Sequence, residues 1–216
     1  MEARRWNHNI HYHRVVLDAV PRPAGRVLDV GCGDGVLTAE LAGVAREVIG
    51  LDVDDASIRR AQEAFPEHRD SFVVGDLFTH RLEPGSFDVV ASVATLHHID
   101  ARRGLARMVE LVRPGGRVVV VGLARVDRVW DLARAGLAAG VHRPYMALTR
   151  RRYWEHSAPM VWPPPESYTS MRAITREQLP GARFRRRVFW RYSIVWTRPG
   201  GSGVGRTWGA RRRRSG

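Results

Sequence analysis

Between roughly residues 25 and 123 the chain repeats one pattern: a short run of consecutive apolar residues, a break at glycine or aspartate, then apolar residues three or four apart. Unbroken runs predict strands buried on both faces, and the helical recurrence predicts amphipathic helices that cover them. "RVLDV" (Arg26 to Val30) is the first run, and "GVLTAELAGVA" follows it with Leu37, Leu41 and Val44 at helical spacing. "EVIGLDV" predicts a second strand, and "DDASIRRAQEAF" a second helix with Asp55 or Ser57 available to cap it and Ile58, Ala61 and Phe65 turned inward. "SFVVGD" and "FDVVASVA" supply a third and a fourth strand. "ARRGLARMVELV" sets Leu105, Met108, Val109 and Val112 on one helical face; "RPGG" is expected to stop that helix and "RVVVVGL" to form a fifth strand. Strand and helix in alternation imply an α/β fold whose parallel sheet lies between two helical layers.

After Leu123 the rhythm changes. Val126, Val129, Trp130, Ala133 and Leu137 predict an amphipathic helix, and an irregular stretch rich in Arg, Tyr, Trp and Pro runs from His142 to Pro165. This insert, residues 124–166, falls where open α/β sheets carry their substrate loops, beyond the carboxyl ends of the strands. "ESYTSMRAITREQL" predicts a further helix. "RFRRRVFWRYSIVWTR" predicts two strands that turn back on one another, with Tyr192, Ile194 and Trp196 alternating with Ser193, Val195 and Thr197.

A length of 216 residues suits one domain, taken as residues 1–198, with a tail at 199–216. No apolar stretch nears the ~18 residues of a spanning helix, and "MEARRWNHNIHYH" lacks the apolar centre of a secretion signal. With one cysteine, Cys32, no internal disulfide can form, so no membrane and a cytoplasmic compartment are expected. The formal charge of +13 invites a nucleic-acid partner. Two features weaken that expectation. All 35 basic residues are arginine, as a GC-rich coding sequence would give, and six of them lie in the acid-free ending "RPGGSGVGRTWGARRRRSG", which has the composition of a flexible, solvated tail. Without that segment 29 arginines face 22 acids, and a nucleic-acid partner is not favoured.

The densest chemistry lies in "LDVGCGDGVL", where a strand ends in Gly31, Gly33 and Gly35. A backbone without Cβ atoms admits a ligand to main-chain groups. The glycines run G-x-G-x-G, with Val36 where a dinucleotide fingerprint needs a small residue, and no lysine exists to build a P-loop. Asp29 and Asp34 would repel a pyrophosphate, so the ligand at this turn should be cationic or neutral.

Asp29-x-Gly31-x-Gly33-x-Gly35 resembles motif I of the class I S-adenosylmethionine-dependent methyltransferases, and the likeness extends in order through the segments ending at Asp52 and Asp76, through "FDVVASVATLHHID" and through "LVRPGGRVVVV". The resemblance implies a Rossmann-like three-layer sandwich, a seven-stranded and mostly parallel sheet with an antiparallel last strand. It also implies S-adenosylmethionine as cofactor, with Asp29, Gly31, Cys32, Gly33 and Gly35 around it. Asp52 would accept from the ribose hydroxyls, Asp76 would meet the adenine amine, and Val53 and Leu77 would sandwich the purine. The flavour is that of the small-molecule branch typified by ubiquinone/menaquinone-type enzymes, so the expected partner is a small methyl acceptor.

A sulfonium methyl is already activated, and holding the acceptor in line accounts for much of the rate. A hydroxyl acceptor would gain from a base, and His97 or His98, after the fourth strand, suits neutral pH; alternatively both only shape the loop. Residues 1–22 are expected to form a lid helix, with Tyr12 or His13 reaching the methionine end of the cofactor. His8 and His11 would share a helical face that turns His13 away, so no metal is expected. Cys32 is taken as structural. Trp130, Tyr145, Tyr153, Trp154 and Trp162 could line an acceptor pocket or pack as core beneath the insert. Two rivals stand beside small-molecule transfer: an RNA or protein methyltransferase using the basic C-terminal region, and a cofactor-binding module without catalysis. The fourth strand ends in "SVAT", not the Pro-Pro signature of amino methylation of DNA bases.

Overall fold

The computed structural model describes residues 7–127 and 161–200. Five strands, β1 (Ala24–Val30), β2 (Ala45–Asp52), β3 (Phe72–Val74), β4 (Phe87–Val93) and β5 (Val112–Leu123), match the five apolar runs, and β6 (Arg183–Arg186) with β7 (Arg191–Thr197) forms the C-terminal hairpin. They make one seven-stranded sheet in the order β3-β2-β1-β4-β5-β7-β6. The first five pair in parallel, and β7 runs antiparallel to both β5 and β6. The expected α/β sheet with its antiparallel last strand is therefore present.

Successive residues of the strands are buried on opposite faces, which is why the runs are continuously apolar. Leu28, Val90, Val118 and Val120 pack on one face with Leu105, Met108 and Leu111 of α4 (Ala101–Leu111) and Met171 and Ile174 of α5 (Tyr168–Gln178). Val27, Val89, Ala91 and Val119 pack on the other with Val16 of α1 (His13–Leu17) and Leu37 and Leu41 of α2 (Val36–Ala42). Ile58 and Ala61 of α3 (Asp55–Ala64) cover Phe72 at the β3 edge.

Several boundaries differ from the sequence reading. Asp54 caps α3, not Asp55 or Ser57: its carboxylate accepts from the Ala56 and Ser57 amides. Val44 lies past the end of α2, because Ala45 already pairs with Ala24. "RPGG" does not form the helix stop; α4 ends at Leu111, Val112 opens β5 against Phe87, and the four residues bulge out before Arg117 pairs with Val89. Arg198, grouped above with the loose tail, is fixed to the body: Nη1 donates to the carbonyls of Val109 (3.0 Å) and Val112 (2.6 Å). Most of the predicted insert and tail, including Val129, Trp130, Ala133, Leu137, Tyr145, Tyr153 and Trp154, lies outside the described residues. Among the described residues no helix is long and apolar enough to cross a membrane.

Candidate functional site

All the parallel strands point their carboxyl ends at one edge, and a cavity of about 950 Å³ opens there. Its floor is the turn from β1 into α2. Gly31, Gly33 and Gly35 have φ of +72°, +53° and +80°, a left-handed region that side chains disfavour. Two of the three are also locked by packing. A Cβ on Gly31 would overlap the Thr95 side chain, and one on Gly35 would sit 2.6 Å from Phe72 and 2.8 Å from Ala61. Gly33 differs: a Cβ there would meet no protein atom within 4 Å, and the residue lines the cavity.

The turn is tied to β2 through its amides. Gly31 and Cys32 donate to the Leu51 carbonyl at 2.7 and 3.1 Å, and Gly33 donates to Asp52 Oδ2 at 2.8 Å. Asp52 Oδ1 accepts from the Asp54 amide at 2.9 Å, which fixes the plane of the carboxylate at the cavity wall. Asp76 lies two residues past the end of β3, in a turn where Oδ1 accepts from the amides of Phe78 (2.7 Å) and Thr79 (3.2 Å). Val53 is 66% exposed and Leu77 is buried, and both border the same space.

The acids around the turn are not equivalent. Asp29 is 1% exposed, and its carboxylate accepts from Thr38 Oγ1 at 2.8 Å. Burial raises its pKa to about 6, opposed by the Thr38 bond and by His13 and reinforced by Asp52 and Glu40. Asp34 pairs with Arg60 Nε at 2.9 Å, so the repulsion expected from it falls away. Asp29 and Asp52 are left to set the potential. Burial, then the charges of Asp29 and Asp52, push the Cys32 thiol well above its ordinary pKa, which keeps it protonated at neutral pH.

The opposite wall comes from three segments. His97 and His98, in a 3-10 turn after β4, lie with ring centroids 4.1 Å apart, and both line the cavity. The N-terminal segment is a 3-10 turn at Ile10–Tyr12 followed by the short α1, not one continuous lid helix. His13 lines the cavity and bonds through Nδ1 to Glu40 Oε2 at 2.9 Å. Tyr12 does not line it: its ring is buried and its hydroxyl donates to the Val188 carbonyl at 3.1 Å, because the β6–β7 tip lies against it. His8 stacks on Phe189 and His11 meets Phe189 edge-on, so His8, His11 and His13 serve three different contacts. Among the described residues no group of three His, Cys, Asp or Glu side chains is placed to hold a metal ion.

The third segment escaped the sequence reading. Trp190 and Arg191, at the β6–β7 tip, line the cavity, and Trp190 meets Trp162 edge-on with centroids 5.8 Å apart. Phe189 and Trp190 both have positive φ, +59° and +55°, each costing about 1–2 kcal/mol relative to ordinary backbone. A signal was available: "RVFWR" turns between two strands with no Gly, Asn, Asp or Pro, so something beyond turn chemistry must hold it.

The donor set suits a cationic, hydroxyl-rich nucleoside. A cleft at a glycine turn sits beside two acids, Asp29 beneath it and Asp52 at the end of the second strand, and an apolar pair, Val53 and Leu77, lies next to it. Among the described residues that line the cavity no Lys or Arg belongs to the turn itself, and Arg60 beside it is engaged with Asp34.

Comparison with known proteins agrees. The methyltransferase domain family matches residues 28–120. An uncharacterized methyltransferase of Mycobacterium tuberculosis (strain ATCC 25618 / H37Rv) is 40% identical over 198 residues, covering 90% of this chain and 98% of that protein. The demethylmenaquinone methyltransferase of Beutenbergia cavernae is 35% identical over 111 residues, 50% of this chain and 45% of its own length. In fold, a protein of Pyrococcus horikoshii OT3 superposes with a TM-score of 0.61 at 18% identity, covering 88% of this chain and 89% of the other. With the glycine turn, the acid at the end of β2 and this relative along nearly the whole chain, the protein belongs to the class I S-adenosylmethionine-dependent methyltransferases.

Proposed function

We propose that this methyltransferase acts on a small-molecule acceptor, bound beside the cofactor in the same 950 Å³ cavity. The observation that carries the proposal is the joining of two unlike halves in that space: an acidic glycine turn, and a wall of apolar and aromatic side chains reached past two histidines. Asp52 accepts from the ribose hydroxyls, Val53 and Leu77 enclose the purine, and the Asp76 turn takes the adenine amine. Gly31, Cys32, Gly33 and Gly35 give the cofactor its bed, and Asp29 beneath them favours positive charge. When bound, the cofactor supplies a methyl group already activated on a sulfonium, so the chain's own work is to orient the acceptor and exclude water. His97 or His98 takes the proton that an O–H or N–H acceptor gives up. A reducing cytoplasm fits the free thiol of Cys32.

The test is to incubate the protein with methyl-labelled cofactor and a cell extract and to separate metabolites, RNA and protein. Label is expected in the metabolite fraction; label in RNA or protein overturns the proposal. Asp52→Ala should weaken cofactor binding by about 1–3 kcal/mol in calorimetry, the value of lost hydrogen bonds to a carboxylate. His97→Ala and His98→Ala should differ from one another in turnover, because a base role falls to one ring and not both.

A further inference from the structure

We infer that the acceptor is a flat, apolar molecule whose anionic group, far from the methylated atom, is held by Arg191. The inference rests on the methyltransferase reading of the glycine-turn end. Its observation is the uneven distribution of charge along the cavity. Among the described residues that line it, the carboxylates are Asp29, Asp34, Asp52, Asp54 and Asp76, and the one arginine is Arg191. All five acids belong to β1, β2, β3 or the turns that leave them, whereas Arg191 is the first residue of β7. Sheet order sets the two groups apart. β4 and β5 lie between β1 and β7, so Arg191 stands three strand spacings, or about 14 Å, from the glycine turn. An anion at the turn would meet Asp29 and Asp52; an anion over β7 meets a guanidinium.

Between the two ends the lining changes in step with the strands. His97 and His98 follow β4, and Leu123, which closes β5, pairs in register with Arg191. Ile99, Val161, Trp162 and Trp190 complete this stretch, and the edge-on contact of the two indoles makes an aromatic corner. Such walls suit a planar ring system. Arg191 is 8% exposed, and its guanidinium is pre-set by its neighbours, with Nη2 donating to Asn9 Oδ1 at 2.7 Å and Nη1 to the Phe189 carbonyl at 2.9 Å. A planar guanidinium oriented in this way matches the geometry of a carboxylate. From the histidines over β4 to Arg191 over β7 is two strand spacings, about 10 Å, so the acceptor carries its nucleophile and its anionic group at opposite ends of one or two rings.

The strained tip serves this placement. Left-handed backbone at Phe189 and Trp190 brings the second indole over the cavity at the residue just before Arg191. The N-terminal segment holds the tip through the His8 stack, the Tyr12 hydroxyl and the Asn9 amide oxygen.

The test uses 6-hydroxy-2-naphthoate and its uncharged methyl ester, titrated by fluorescence against the protein saturated with S-adenosylhomocysteine. The acid should bind at least tenfold more tightly than the ester. Arg191→Gln should abolish that preference while changing the ester's affinity by less than about threefold, Arg191→Lys should keep part of it, and Trp190→Ala should weaken both compounds by about tenfold. Equal binding of acid and ester by the wild-type protein, or no binding of either, overturns the inference, as does a preference that survives Arg191→Gln. The wild-type comparison stands even if a variant fails to fold. Calorimetry with S-adenosylhomocysteine alone separates the two readings: if it does not bind, the glycine-turn assignment has failed, and if it binds while the naphthoates do not discriminate, only the acceptor assignment has.

Discussion

The two ends of the cavity are built by opposite means. At the glycine turn the backbone itself is the binding surface: left-handed φ values fall on glycines, which tolerate them, and the amides are satisfied by Leu51 and Asp52 one strand away. At the hairpin tip left-handed φ falls on Phe189 and Trp190, which tolerate it poorly, and the arrangement persists because the N-terminal segment grips it from outside. The first end is therefore specified locally and the second by tertiary contact. The contrast extends to charge, with carboxylates at one end and a guanidinium at the other. On the proposed assignment the cofactor takes the locally encoded end, and discrimination between acceptors falls to the end that distant segments assemble.

The largest effect is expected within the glycine turn, where two of its glycines should fail differently. Gly31→Ala adds a Cβ that overlaps Thr95 on top of a positive φ, and should destabilise the fold by about 2–5 kcal/mol. Gly33→Ala meets no neighbour in the protein, so its stability loss should stop at about 1–2 kcal/mol while cofactor affinity falls further. Denaturant midpoints and calorimetry with S-adenosylhomocysteine measure the two quantities. Equal stability losses would mean that Gly33 does not face the ligand space.

How far the sequence could carry this division follows from the same contrast. Apolar runs and glycine spacing predict β1 to β5 and the turn at Gly31, Gly33 and Gly35, because each depends on neighbours within a few residues, whereas the roles of the acids at 29, 52 and 76 rest on the family resemblance of their segments. The partnership of Asp34 with Arg60 was not legible, since it joins residues 26 apart through the docking of α3. Helical periodicity predicts Tyr12 or His13 over the cofactor, but the segment breaks between a 3-10 turn and α1, the hairpin tip claims the Tyr12 hydroxyl, and it is His13 that borders the cavity. Arg191 and Trp190 look like ordinary strand residues until β7 pairs antiparallel with β5 and brings its first residue to the cavity edge.

A smaller effect should follow from pH at the acidic end. The folded pKa of Asp29, about 6, lies above its ordinary 3.8, so the folded protein holds this proton more tightly than the unfolded chain does. The contribution of Asp29 to the stability of the free protein is thus complete below about pH 4 and is lost as the pH rises through 6. A cationic ligand reverses the preference, because it favours the carboxylate. Affinity for S-adenosylmethionine should increase about tenfold between pH 5 and pH 7 and then level off. Asp29→Asn should flatten both profiles; a binding profile that stays steep in the variant would assign the titration to another group.

The smallest effect concerns Cys32, which samples the same potential from inside the turn. Cys32 borders the cavity, yet burial and the charges of Asp29 and Asp52 raise the pKa of its thiol, and only the thiolate attacks an alkylating agent. Cys32→Ala should change turnover by less than about twofold, since methyl transfer from a sulfonium needs no thiol. Iodoacetamide at pH 7.5 should modify Cys32 many times more slowly than it modifies the denatured chain. Burial alone would also slow the reaction, and Asp52→Asn separates the two causes. Removing that charge leaves the thiol in place while easing its ionisation, so alkylation should accelerate about two- to fivefold. An unchanged rate would attribute the inertness to burial and remove the support that Cys32 lends to an anion-repelling turn; a faster rate would make this cysteine a gauge of the potential that divides one end of the cavity from the other.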